Sequence, residues 1–126
     1  MDKEKVEISR EEKVVLDYLI ILGTPSYFRA KLWLLCSGAK KEIINNKNYY
    51  KNLLELSKKI PCPYESQIMK DIPRTKAETL KNNKDYEQKL KNILICYSIR
   101  NNSIGYCQGF NFIVLHIIEI MQNEVN

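Results

Sequence analysis

Two short polar segments carry the residue types that could act on a phosphate ester. One is Asp71, Ile72, Pro73, Arg74, Thr75; the other is Gly105, Tyr106, Cys107, Gln108, Gly109. Hydrolysis of a nucleotide's terminal phosphate builds negative charge on the phosphoryl and leaving-group oxygens, and a fixed guanidinium stabilises that charge. The same reaction needs a group that both donates and accepts hydrogen bonds, to hold a water in line with phosphorus; a side-chain amide does both. Arg74 and Gln108 are these two groups. An arginine supplied in trans is worth roughly 10³–10⁵ in rate, or about 4–7 kcal/mol of barrier. Lysine lacks the planar fork of donors. In a chain with sixteen Lys and four Arg, an arginine placed directly behind a proline is therefore a signal. Taken singly, each residue also has a plainer reading. Arg74 is then an exposed loop cation, and Gln108 caps the helix after a tight turn made by Gly105 and Gly109.

The elements that must position these residues read as helices throughout. Ser9 and Glu12 form a capping box, and Val14, Val15, Tyr18, Leu19 and Leu22 follow at helical spacing. Gly23 stops that helix, since glycine enters left-handed conformations without a Cβ clash. Thr24 and Pro25 start another, with Phe28, Leu32, Leu35 and Cys36 on one face, Trp33 beside them, and an end at Ser37 and Gly38. A third stretch covers about 48–60 and ends at Pro61 and Pro63. A short turn of helix over 65–70 leads to Pro73, which bends the chain just ahead of Arg74. Asn82, Asn83 and Lys84 make a polar loop. Leu90, Ile93, Leu94 and Tyr97 then share one face of a helix over about 85–100. The last helix, about 110–122, is apolar nearly all round and expects neighbours on several sides. No strand pattern, internal repeat or low-complexity linker is present. The expected class is all-α, an irregular multi-helix bundle.

The chain of 126 residues suits one domain and carries a net charge of +5. The basic residues are spread out, so the charge fits anionic partners without identifying one. A basic nucleic-acid binder has only that charge behind it, and no nucleic acid is expected. Tyr49 and Tyr50, flanked by Lys47 and Lys51, read as half core and half surface rather than as a base-stacking platform. The pairs Lys40, Lys41 and Lys58, Lys59 read as solvated. Cys36, Cys62, Cys96 and Cys107 form no C-x-x-C pair and His116 is the only histidine, so no metal site is expected. The cysteines read as free and mostly buried, Cys107 included, and His116 as a core or interface residue. No segment is long and apolar enough to span a bilayer, and the charged start leads into no signal-peptide core.

The motifs together resemble the TBC domain of Rab GTPase-activating proteins. Gly23, Thr24, Pro25, then Arg29 and Trp33 resemble the family's first motif. Ile68, Asp71 and Arg74 match its I-x-x-D-x-x-R motif. Tyr106 and Gln108, preceded by Gly105 and followed by Gly109 and Asn111, match its Y-x-Q motif. The resemblance covers residues from about 23 to the end, so 1–22 reads as a lead-in helix and 23–126 as a partial TBC domain, its N-terminal lobe. It implies that Arg74 is an arginine finger and Gln108 a glutamine finger, both acting on a GTP-bound Rab GTPase. GTP and Mg²⁺ would then belong to the partner, and this chain would hold no cofactor. Asp71 would orient the finger loop and Tyr106 would prop Gln108. Gly23, Pro25, Gly105 and Gly109 would be structural, Trp33 would lie in the core and Arg29 in an internal polar contact. A cytoplasmic location, peripheral to endomembranes through partners, is implied, with a role in vesicle trafficking. Lys76 and Ala77 depart from the aromatic residue that often follows the arginine motif. The family's domain is also longer than this chain, which implies a fragment without the C-terminal lobe. A catalytically inactive Rab-binding or interaction module is the alternative reading.

Overall fold

Ser9 and Glu12 begin the fold as their spacing predicts. Glu12 N–H donates to Ser9 Oγ at 3.2 Å and Ser9 N–H to Glu12 Oε2 at 2.8 Å, which satisfies two of the amides left open at a helix start. The computed structural model describes residues 8–75 and 83–122. Among these residues there are seven α-helices, two short 3₁₀ turns and no strands. The helices are α1 (Arg10–Leu22), α2 (Arg29–Cys36), α3 (Ala39–Asn45), α4 (Tyr49–Ser57), α5 (Glu65–Asp71), α6 (Lys84–Arg100) and α7 (Phe110–Gln122). The 3₁₀ turns, Ser26–Phe28 and Ile72–Arg74, lead into α2 and follow α5. The class is all-α, as the periodicity predicts. Lys76, Ala77 and Asn82 lie outside the described residues.

The described residues fall into two compact units: residues 48–119, and the remainder. In the second of these, α1 buries no residue and α2 buries only Ala30. Leu16, Leu19, Phe28, Leu32 and Leu35 line an open cleft of about 420 Å³ instead of a closed core. Two expectations fail here. Trp33 is 37% exposed, not a core residue, and Arg29 is exposed rather than held internally. Both sit on the eight-residue helix α2, whose buried side is wide enough for Ala30 alone. Helix α3 is absent from the sequence-based expectations. It starts on Gly38 in a left-handed conformation and has no side-chain cap.

The unit of residues 48–119 carries the core. Ile68, Ile72, Leu90, Leu94, Ile95, Tyr106, Leu115 and Ile118 pack as one buried cluster. Helix α6 supplies its centre, with Leu90 and Leu94 one turn apart and almost fully buried. Asn83 caps α6 by accepting from Asp85 N–H at 3.1 Å. Asp85 and Glu87 in the first turn and Arg100 in the last complement the helix dipole. Lys91 Nζ meets Glu65 Oε1 at 2.8 Å and pins α5 beside α6. The Arg100 guanidinium lies 5.2 Å over the Tyr49 ring, linking α4 to the end of α6. Helix α4 is shorter than the 48–60 expected. Beyond Ser57 the chain tightens, with Lys59 N–H donating to Leu56 O at 2.9 Å ahead of Pro61.

Candidate functional site

The Arg74 turn is closed by its own hydrogen bonds. Pro73 lies in the 3₁₀ turn, where its fixed φ suits a helical conformation. Thr75 N–H donates to Ile72 O at 3.0 Å, and Thr75 Oγ1 donates to Asp71 O at 2.8 Å. Asp71, the last residue of α5, also receives Gln67 Nε2 at 3.1 and 3.2 Å on its two oxygens. The Gln108 turn is closed likewise. Gly105 N–H donates to Asn101 O at 2.7 Å, and Phe110 N–H to Cys107 O at 3.1 Å. Gly105 has φ +66°, and a Cβ built on it would run into the Tyr64 ring. Glycine is needed here on both counts: conformation and close approach.

Four buried polar side chains join the two turns. Asp71 is 2% exposed, Tyr106 8%, Thr75 1% and Asn111 2%. Tyr106 Oη donates to Asp71 Oδ2 at 2.8 Å. Asn111 Nδ2 donates to Thr75 Oγ1 at 2.7 Å, while Asn111 Oδ1 accepts from Gly109 N–H at 3.0 Å. Tyr106 Oη also lies 3.4 Å from Asn111 Oδ1, a weak contact at that length. Burial pushes the Tyr106 phenol far above the usual tyrosine range, and its bond to the Asp71 carboxylate pushes it the same way. The phenol is thus held as a donor. Around this network stand Ile72, Leu115 and the ring of Phe110, edge-on to Tyr106 at 6.1 Å.

Arg74 and Gln108 themselves are exposed. Neither side chain is held by another described residue, so both guanidinium and amide are open to a partner. The structure therefore brings together the expected supporting residues Asp71 and Tyr106 and leaves the two candidate reactive groups pointing free of the core. Chemically, such a surface offers one exposed cation and one exposed amide on backbones anchored from below. Gly23, Pro25, Arg29 and Trp33 lie in the other unit and are not among the residues of this network.

Thr75 and Asn111 are the network members that sequence reasoning missed as site residues. A clue was available: Asn111 is an amide in a helix otherwise apolar nearly all round, and a buried amide requires partners. Which partners it finds, 36 positions away along the chain, has no signature in local spacing.

One further expectation is corrected, and the reading of His116 as a core or interface residue loses its core half. Cys107 and Cys36 are exposed rather than buried. Cys107 occupies the outer side of the Gly105–Gly109 turn, where its Sγ reaches only the neighbouring carbonyl of Gln108, at 3.6 Å. His116 is no core residue: its side chain is 65% exposed, on the same edge of α7 as Glu119, 4.0 Å away. Among the described residues no group of His, Cys, Asp and Glu is placed to hold a metal ion, and no helix is long and apolar enough to cross a membrane.

Comparison with known proteins gives this geometry a family context. The model of the Rab-GTPase-TBC domain family matches residues 26–126. Growth hormone-regulated TBC protein 1-A of Danio rerio is 34% identical over 106 residues, covering 81% of this chain and 29% of that protein. Growth hormone-regulated TBC protein 1 of Homo sapiens is 36% identical over 106 residues, covering 81% of the chain and 31% of the relative. TBC1 domain family member 2B of Homo sapiens is 33% identical over 119 residues, covering 86% of the chain and 12% of the relative. The chain thus spans about a third or less of these relatives. No solved structure matches.

Proposed function

Because this chain belongs to the Rab-GTPase-TBC domain family, we propose that it accelerates GTP hydrolysis by a Rab-type small GTPase, with Arg74 and Gln108 delivered in trans. Arg74 stabilises charge on the transferring phosphoryl group, and Gln108 orients the attacking water. GTP and Mg²⁺ belong to the bound GTPase, and the chain contributes no cofactor. Asp71 and Tyr106 act from below, holding the two turns at a fixed separation. On this reading residues 23–126 are part of the TBC domain, 1–22 lead into it, and the protein works on the cytoplasmic side of membranes that carry its GTPase.

The observation that supports this reading is the buried network itself. Four polar side chains with almost no exposure tie together two turns whose adjacent Arg74 and Gln108 stay exposed. Burying polar groups is costly unless every one is paired, and apolar residues would hold a purely structural contact as well. The arrangement is suited to fixing the backbones of two outward-facing groups.

The test is single-turnover GTP hydrolysis with a panel of GTP-loaded Rab GTPases. Arg74→Ala is expected to remove most of the acceleration, on the order of 10³-fold or more. Arg74→Lys fails to restore it, because an ammonium cannot reproduce the guanidinium fork. Gln108→Ala lowers the rate as well. Wild-type acceleration matched by all three variants removes the finger assignment. Binding of the GTP-loaded GTPase with hydrolysis unchanged returns the protein to the non-catalytic reading.

A further inference from the structure

The two exposed groups cannot be fixed through their own side chains, which have no partners among the described residues. Only the backbones beneath them can be fixed. Two hydrogen bonds do this in matching fashion. Asn111 Nδ2 donates to Thr75, the residue immediately after Arg74, and Asn111 Oδ1 accepts from Gly109 N–H, the residue immediately after Gln108. One planar amide therefore spans both turns, one residue downstream of each reactive group.

The amide's orientation is forced. Gly109 N–H can only donate, so the atom facing it must be Oδ1. Thr75 Oγ1 spends its single proton on Asp71 O at 2.8 Å, so it faces Asn111 as an acceptor and demands Nδ2. Neither end can be exchanged without setting donor against donor or acceptor against acceptor. Thr75 and Asn111 are also less exposed than Tyr106, so water has little access to replace a lost bond.

We infer that Asn111, with Thr75 as its receiver, is a positioning bridge that sets the Arg74 turn against the Gln108 turn for hydrolysis of the partner's GTP. The inference rests on the finger reading above. Asp71 and Tyr106 join the same turns through a second pair of side chains, neither of which is next to a reactive group. The Asn111 bridge fixes the spacing of the two groups, and a misplacement of about 1 Å in such a geometry costs on the order of 10²-fold in rate.

The experiment uses Thr75→Val, which keeps the shape and removes the hydroxyl, and Thr75→Ser, which keeps it. Single-turnover hydrolysis is measured with the Rab GTPase that responds best to the wild-type protein, over a range of activator concentrations. Thr75→Val should lower the maximal rate about 10- to 100-fold and leave the half-saturating concentration unchanged. Thr75→Ser should restore the rate. In an Arg74→Ala background, Thr75→Val should cost nothing further, because the bridge acts by setting Arg74 against Gln108 and that pairing is already lost. A second readout is independent of activity. Amide hydrogen exchange at Gly109 should quicken in Thr75→Val and not in Thr75→Ser, since Asn111 loses its anchor and Gly109 its oriented acceptor.

Each reading fails in its own way. If Arg74→Ala is as active as wild type, the finger assignment falls and the bridge positions no catalysis. If Arg74→Ala is inactive while Thr75→Val keeps full activity, or Gly109 exchange stays unchanged in Thr75→Val, the bridge falls alone. An equal loss from Thr75→Val in the wild-type and Arg74→Ala backgrounds marks a folding defect and also overturns it.

Discussion

Replacing Tyr106 by phenylalanine removes one oxygen from the middle of the network. The hydroxyl donates to the Asp71 carboxylate at 2.8 Å, and both partners are buried. A hydrogen bond to a charged group contributes about 1.5–3 kcal/mol. Asp71 retains Gln67 as a donor at 3.1 and 3.2 Å, so its charge is not orphaned. The 3.4 Å contact with Asn111 adds little. The expected destabilisation is therefore about 1.5–3 kcal/mol, without the larger penalty of an unpaired buried carboxylate. Native-state hydrogen exchange of the α6 amides around Leu94 and Ile95 reads this directly, because those residues belong to the same core. At about 1.4 kcal/mol per factor of ten, their exchange through global opening should quicken about 10- to 150-fold. Tyr97→Phe is the control: its ring is partly exposed and its hydroxyl has no hydrogen bond to a described residue, so it should stay within about 0.5 kcal/mol of wild type. A Tyr106→Phe effect no larger than that of Tyr97→Phe refutes the claim that the network holds the two turns.

Alkali should act through the same group. The folded phenol titrates above the unfolded one, so its contribution is full below the ordinary tyrosine range near pH 10 and fades as pH rises through the folded value. The stability gap between wild type and Tyr106→Phe should thus narrow above about pH 10, as chemical denaturation at a series of pH values would measure; a constant gap contradicts it. Gly105→Ala should destabilise by about 1–2 kcal/mol from its positive φ alone, with a further cost from displacing the Tyr64 ring, and a thermal melt no lower than wild type contradicts that. Phe112, Ile113 and Ile117 stand exposed on α7, Ile113 at 61%. The chain by itself should therefore associate with rising concentration in sedimentation velocity, and Ile113→Lys should reduce it.

Local chemistry was legible where neighbours in sequence decide the outcome. Ser9 and Glu12 are three residues apart, so their mutual capping could be read from spacing, and so could the Leu90 and Leu94 face of α6. The Arg74 and Gln108 turns could be located because Pro73 and the two glycines punctuate them. Helix α3 was not legible: it starts at Gly38 without a side-chain cap and carries Lys40 and Lys41 in place of an apolar stripe. The left-handed Asn48 ahead of α4 likewise had no clear signal, although asparagine tolerates that conformation better than most residues. Trp33 was misread because its type predicts burial, whereas α2 presents only Ala30 to a buried surface. The pairing of Asn111 with Thr75 depends on where α6 returns the chain, and residue types alone do not encode that.

That return also orders events in time. The bonds that join the two turns link residues 35 and 36 positions apart, whereas every helix here closes its bonds within four. Helical turns form in about a microsecond or less, while a contact across such a separation must wait for the intervening chain to be organised. In this protein 17 of the intervening residues are α6, a rod about 25 Å long. Once α6 has packed through its Leu90 and Leu94, most of the search for the second turn is over. The network is then expected to close after α6 has packed. Mutations within it should speed unfolding much more than they slow folding.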